Sequence, residues 1–217
     1  MELLQNIKDK VILDVGCWDG TYLQQLTDLA PKFLLGLDRD SGGLKKAVHY
    51  QNSQPQLFRT PCITYYFKGN CNSLPFKNES IDHVVCGVTL YMLDQRYALK
   101  EVARVLKPDG FFTFTDHTIW YVFRRMVSSY EQPADTSRIK TVAGMLFIMF
   151  NGILYNFFGS PPLLRTFTDS KWYIYLDKKR LKANLLKNNL TIINYKILKQ
   201  WRRHPILFQC TAQKGQT

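Results

Sequence analysis

The sequence predicts an α/β fold in which a mostly parallel sheet is flanked by helices. Three observations carry that prediction. Val11-Ile12-Leu13-Asp14-Val15 and Phe33-Leu34-Leu35-Gly36-Leu37-Asp38 are short runs that are apolar at successive positions, as a strand covered on both faces requires. Strand patterns alternate with helical patterns along most of the chain. The first run breaks into a turn, Gly16-Cys17-Trp18-Asp19-Gly20, whose glycines can take positive φ and let a ligand approach the main chain.

The elements follow in order. A strand over 11–15 leads into a helix over 21–29, whose free N–H groups favour an anion such as a carboxylate or phosphate. The strand over 33–38 ends on Asp38, 22 residues after Gly16, a spacing that suits a carboxylate gripping a ribose diol. A dinucleotide site would want a third glycine and a tighter spacing, but Trp18 stands at the middle position and Thr21 follows Gly20. A helix over 41–51, strands over 63–68 and 81–88, a helix over 93–106 and a strand over 111–116 continue the alternation. After a helix over 177–188, strands over 191–198 and 206–212 adjoin, which predicts a hairpin that closes the sheet with an antiparallel strand. Ligands of such sheets bind at the carboxyl ends of the strands, where Asp14, Asp38, Asn70, Gly87 and Asp116 fall.

The 217 residues, 46% hydrophobic and 21% charged, suit one soluble domain over 1–217 with no internal repeat. The polar N-terminus, Met1 to Lys10, reads as neither signal nor transit peptide. Cys17, Cys62, Cys71, Cys86 and Cys210 are odd in number and lack C-x-x-C spacing, so a reduced, cytoplasmic chain without a structural metal is expected.

Residues 118–170 are long for a connection and read as an inserted helical lid over the substrate. Within them Thr141 to Gly159 is almost wholly apolar, near the lower limit of a membrane span. Gly144, Asn151, Gly152 and Asn156 argue against a span and for a lid lining an apolar pocket, with a surface that dips into lipid as the alternative. Charge is uneven: residues 1–117 hold 13 Lys/Arg against 13 Asp/Glu, whereas residues 171–217 hold 11 against 1. That basic end suits an anionic membrane surface or RNA phosphates, with a merely solvated face as the plain alternative. Trp172, Tyr173, Tyr175 and Trp201 are interleaved with it, which base stacking or core packing explains equally well.

The turn with Asp14, Gly16 and Gly20, followed by Asp38, resembles motifs I and II of the class I S-adenosylmethionine-dependent methyltransferases. Gly69 to Phe76 with Ser80 to Val85, and Glu101 to Gly110, resemble two further blocks of that family, in the same order. The likeness covers about residues 8 to 117, and is greatest to the small-molecule and lipid branch called methyltransferase type 11. It implies a Rossmann-like sheet of seven strands, the last antiparallel, and S-adenosyl-L-methionine as cofactor. The implied cofactor-binding residues are Asp14, Gly16, Cys17, Gly20, Asp38, Arg39, Asn70, Cys71 and Gly87. Two positions depart from the family pattern. Trp18 replaces the usual middle glycine, and Asn70 replaces an Asp that contacts the adenine amino group in many relatives; an Asn carbonyl can still accept that bond.

A sulfonium methyl is already activated, so transfer asks mainly for alignment, and for a base only if the acceptor must lose a proton. His117, after the fifth strand, is the candidate base, with loop ordering as the alternative. Tyr91, Met92 and His117 are expected to line the acceptor pocket. The expected acceptor is a small, apolar or lipid-like molecule. An RNA methyltransferase is the second reading, although Cys86-Gly87-Val88-Thr89 stands where base-amine enzymes carry an Asn-Pro-Pro-Tyr type motif. A non-catalytic cofactor-binding or membrane-associated scaffold is the third. The sequence does not set the oligomeric state or the acceptor atom.

Overall fold

The computed structural model describes residues 7–53, 62–130, 145–147, 149–150, 153–154 and 177–216. Seven strands form one sheet: β1 Val11–Val15, β2 Phe33–Asp38, β3 Ile63–Lys68, β4 Ile81–Cys86, β5 Leu106–His117, β6 Leu190–Trp201 and β7 His204–Lys214. Their order is β3-β2-β1-β4-β5-β7-β6. The first five are parallel, β7 runs antiparallel to β5, and β6 antiparallel to β7. The order reverses at β1, between β2 and β4, and such a switch point opens a crevice at the strands' carboxyl ends.

Alternate residues of the central strands feed two cores. Leu13, Val15, Leu37, Val84, Phe112 and Phe114 face helices α3 (Gln95–Val105) and α5 (Lys178–Leu186), which contribute Leu99, Val102, Leu181 and Leu185. Ile12, Leu34 and Val85 face the other way, against Leu23 of α1 (Thr21–Gln24) and Leu44 of α2 (Ser41–Ser53). Both faces being covered explains why these strands read as continuous apolar runs. Asp94 and Asp177 cap α3 and α5, accepting from the N–H groups of Arg96 and Arg180.

The elements differ from expectation in places. The helix over 21–29 breaks after Gln24; a short 3₁₀ turn, Thr27–Leu29, follows and ends at Ala30 with φ 52°. β4 stops at Cys86 because the chain turns into a second 3₁₀ segment, Leu90–Met92. β5 begins five residues early: Leu106 already pairs with Ile81, and the Lys107-Pro108-Asp109-Gly110 turn is taken up as a register shift before His83 meets Phe111. The inserted segment opens with α4 (Ile119–Tyr130), while residues 131–144 and 155–176, and with them Trp172, Tyr173 and Tyr175, lie outside the described residues. No described helix is long and apolar enough to cross a membrane.

Two of the sequence blocks are joined by one side chain. Arg104 pairs with Glu101 at 2.8 Å and donates to the carbonyls of Phe76 (2.8 Å) and Leu74 (3.0 Å), while Glu101 accepts the Leu74 N–H at 2.7 Å. This staple fixes the loop after β3 at the mouth of the crevice. Asp82 likewise joins β4 to β1, accepting from the Val11 N–H at 3.0 Å and from Lys107 Nζ at 2.9 Å. Burial opposes its ionisation, but these donors outweigh it and its pKa is lowered.

Candidate active site

A cavity of about 480 Å³ opens at the switch point, walled by Gly16, Trp18, Asp38, Arg39, Cys71 and Met92, among others. That volume lies within the usual range for small-molecule sites.

The turn after β1 is held from below. Gly16 and Cys17 donate their N–H groups to the Leu37 carbonyl, at 2.8 and 3.2 Å, and Trp18 donates to Asp38 Oδ2 at 2.8 Å. Asp38 Oδ1 accepts the Asp40 N–H at 2.8 Å, so one carboxylate ties both lips of the crevice and keeps a free lone pair on each oxygen. Gly16 has φ 83°, and a Cβ there would come within 2.7 Å of Thr89 Cγ2, so the position demands glycine twice over. Thr89 is a wall residue that the sequence did not single out. Only its place two residues past Gly87 hinted at it.

The anion expected at the start of α1 has no vacancy there. Asp19 Oδ1 accepts both the Thr21 N–H (3.1 Å) and its hydroxyl (2.7 Å). The field is acidic instead. Asp14, fully buried on β1 beneath the turn, is pushed up to about 7, first by burial and then by the neighbouring charge of Asp38. Such a site suits a cation and hydroxyl donors better than a phosphate.

Trp18 takes φ 44° and lays its indole on the start of α2, where it fills the space beside Gly43, with Lys46 Nζ 5.3 Å from the ring centroid. It is 51% exposed and walls the cavity from outside. Tyr66 lies against Gly20 and Gly36, its hydroxyl buried and without a hydrogen-bond partner.

Of the residues singled out by sequence, Gly16, Asp38, Arg39, Cys71 and Met92 meet on the cavity wall. Asp14, Cys17, Gly20, Asn70, Gly87, Tyr91 and His117 are not among the residues that wall it. Asp14 and Cys17 lie below, the Cys17 sulfur packed near Gly36 and its thiol pKa raised, chiefly by burial. Gly20, with φ 73°, closes the turn. Asn70 Oδ1 accepts the Asn72 N–H at 3.0 Å, a local turn that engages the oxygen offered for adenine. Beside it Cys71 stays a thiol, pushed up to about 11 mainly by burial.

Tyr91 and His117 form a separate aromatic group at the end of β5. The His117 ring stacks on Tyr121, with centroids 3.7 Å apart, and Tyr91 meets it edge-on at 6.0 Å. His117 Nδ1 lies 3.2 Å from the Ile206 carbonyl, which can only accept, so Nδ1 carries the proton and Nε2 keeps its lone pair. Burial lowers its pKa, which leaves the ring neutral at pH 7. Buried Asp116, its pKa raised above all by burial, accepts the His117 N–H at 2.7 Å and also a Tyr91 N–H. It thereby ties the end of β5 to the 3₁₀ segment that carries Met92. Among the described residues no cluster of His, Cys, Asp or Glu could hold a metal ion.

A crevice at the switch point, with an acid at the end of β2, stands where open α/β sheets bind their ligands. The family model described as "Methyltransferase domain" matches residues 13–114. Over those residues, a little under half of the chain, it is similar to the class I S-adenosylmethionine-dependent methyltransferases, enzymes whose cofactor is S-adenosyl-L-methionine. It is similar to the phthiotriol/phenolphthiotriol dimycocerosates methyltransferase of Mycobacterium tuberculosis, 33% identical over 49% of this chain and 37% of that protein. It is also similar to the tRNA U34 carboxymethyltransferase of Campylobacter fetus, 28% identical over 48% and 36%. The matched stretch spans well under half the length of these relatives. A SAM-dependent methyltransferase from Methanosarcina mazei shares the fold, with a TM-score of 0.66 and 19% identity over 100% of this chain and 99% of that one.

Proposed function

We propose that the chain transfers the methyl group of S-adenosylmethionine to a small, apolar or lipid-like acceptor by in-line displacement. The observation that carries this reading is the acidic, glycine-floored cavity at the switch point, beside an aromatic group on α4 and β5. The residues fit the cofactor. Asp38 has lone pairs for the ribose hydroxyls, the field of Asp14 and Asp38 favours a cationic sulfonium and amine, and Gly16 offers main chain without a side chain in the way. When bound, the cofactor supplies an activated methyl, so the protein's task is alignment. Trp18 and Met92 wall the site. His117, its Nδ1–H held by the Ile206 carbonyl, takes the acceptor's proton on its unprotonated Nε2 where one must leave. Val122, Met145 and Met149 pack with Tyr91, Ile119 and Tyr121 into a small apolar cluster next to that ring, which favours an apolar acceptor.

The test is transfer of labelled methyl from the cofactor into a cell extract. Label in the chloroform-soluble fraction is expected; label confined to RNA would overturn the acceptor class in favour of the second reading, which the basic C-terminal end supports. Binding of the cofactor with no transfer to any fraction would leave a non-catalytic scaffold.

A further inference from the structure

Between Gly16 and Gly20 the turn after β1 carries one large side chain in a conformation that suits glycine. Trp18 has φ 44°, in the left-handed region, and a bulky residue is held there only where its surroundings over-determine it. Two contacts do so. Its N–H donates to Asp38 Oδ2 at 2.8 Å, and its indole is seated on Gly43 of α2, where an added Cβ would stand 2.4 Å from Cδ1 and 3.0 Å from Nε1. Only glycine at 43 leaves room for the ring in that position.

The seat is tied to the same carboxylate. Asp38 Oδ1 accepts the Asp40 N–H at 2.8 Å, and Asp40 Oδ1 accepts the N–H groups of Gly42 and Gly43 at 2.7 and 3.3 Å. The turn, the end of β2 and the start of α2 therefore form one hydrogen-bonded corner, and Trp18, Asp38, Arg39 and Asp40 wall the same cavity. Lys46 Nζ, from the same helix, lies 5.3 Å from the ring centroid and helps to hold the indole. The ring nevertheless remains 51% exposed, so the arrangement does not serve to bury it in the core. It leaves apolar surface on the cavity wall, beside the carboxylate that keeps free lone pairs.

We propose that the Trp18 indole is the outer wall of the ribose subsite, held by Gly43 against the sugar whose hydroxyls donate to Asp38. An indole there covers the sugar's C–H bonds with apolar surface and excludes water from the hydrogen bonds to Asp38, which strengthens them. The position of the ring is set by α2 as well as by the turn, so Trp18 and Gly43 act as one unit. The proposal rests on the S-adenosylmethionine reading of this cavity, and adds to it a residue pair that determines affinity for the nucleoside end of the ligand.

The experiment is calorimetric titration of the full chain and its variants with S-adenosylhomocysteine, with adenosine as a competitor. Trp18→Gly keeps the N–H on Asp38 and relieves the backbone, Gly43→Ala drives the indole off its seat while favouring the helix, and a third variant combines the two. Each single substitution should weaken binding about tenfold, and the combination also about tenfold, because both remove the same contact. The loss should be as large for adenosine as for S-adenosylhomocysteine. Trp18→Gly should melt close to the parent, since relief of strain offsets the lost packing; if it melts far below, Gly43→Ala reads the same contact with the indole retained. Undiminished affinity in the single variants, losses that multiply in the combination, or a loss absent for adenosine each overturns the proposal and leaves the cofactor reading standing. Failure of the wild type to bind S-adenosylhomocysteine removes both.

Discussion

At the scale of single residues, the chemistry turns on carboxylates whose environments differ. Asp38 is bound by two N–H groups at the mouth of the cavity, whereas Asp14 is buried under the same turn and pushed up to about 7. A carboxyl with its folded pKa raised stabilises the protein below its unfolded pKa of 3.8, and that contribution is lost as pH rises toward 7. Asp14→Asn should therefore remove a pH-dependent loss of stability on the order of 4 kcal/mol, and melting curves across that window check it. His117 is neutral at pH 7 with Nε2 free, so His117→Ala should lower kcat about a hundredfold for an acceptor that must lose a proton. It should leave the affinity for S-adenosylhomocysteine unchanged. Steady-state rates with two acceptors, one already deprotonated at pH 7, separate that role from loop ordering.

At the scale of elements, the structure explains why two of the sequence blocks occur together. Arg104 of α3 clamps the loop that carries Cys71, through Glu101 and the carbonyls of Leu74 and Phe76. Arg104→Ala should cost about 2 kcal/mol of stability and weaken cofactor binding several-fold by freeing that loop, as denaturant unfolding and ligand titration would show. Much of this architecture was legible beforehand. The strands over 11–15 and 33–38 are found at their expected bounds because a doubly covered strand has an unbroken apolar signature, and the edge strand over 63–68 also keeps its bounds. Where tertiary pairing sets the limit, local pattern misled. β5 reaches back through Pro108 by bulging, and the helix after the turn is cut short where Thr27 bonds the Gln24 carbonyl. The cavity wall was half legible: glycines and the strand-end acid announce themselves, but Thr89 enters by packing on Gly16, a contact across the switch point that no local spacing reveals. Asn70 looked available for adenine, yet its oxygen already closes a turn onto Asn72.

At the scale of the whole molecule, a seven-stranded sheet reverses its order at β1 and opens one acidic crevice there, while its basic end gathers on the β6–β7 side. Calorimetric titration with S-adenosylhomocysteine tests the central claim most directly. One equivalent should bind to the wild-type chain, and Asp38→Ala should weaken binding about ten- to a hundredfold by removing hydrogen bonds to a charged acceptor. Failure of the wild type to bind, or undiminished affinity in Asp38→Ala, would contradict the account.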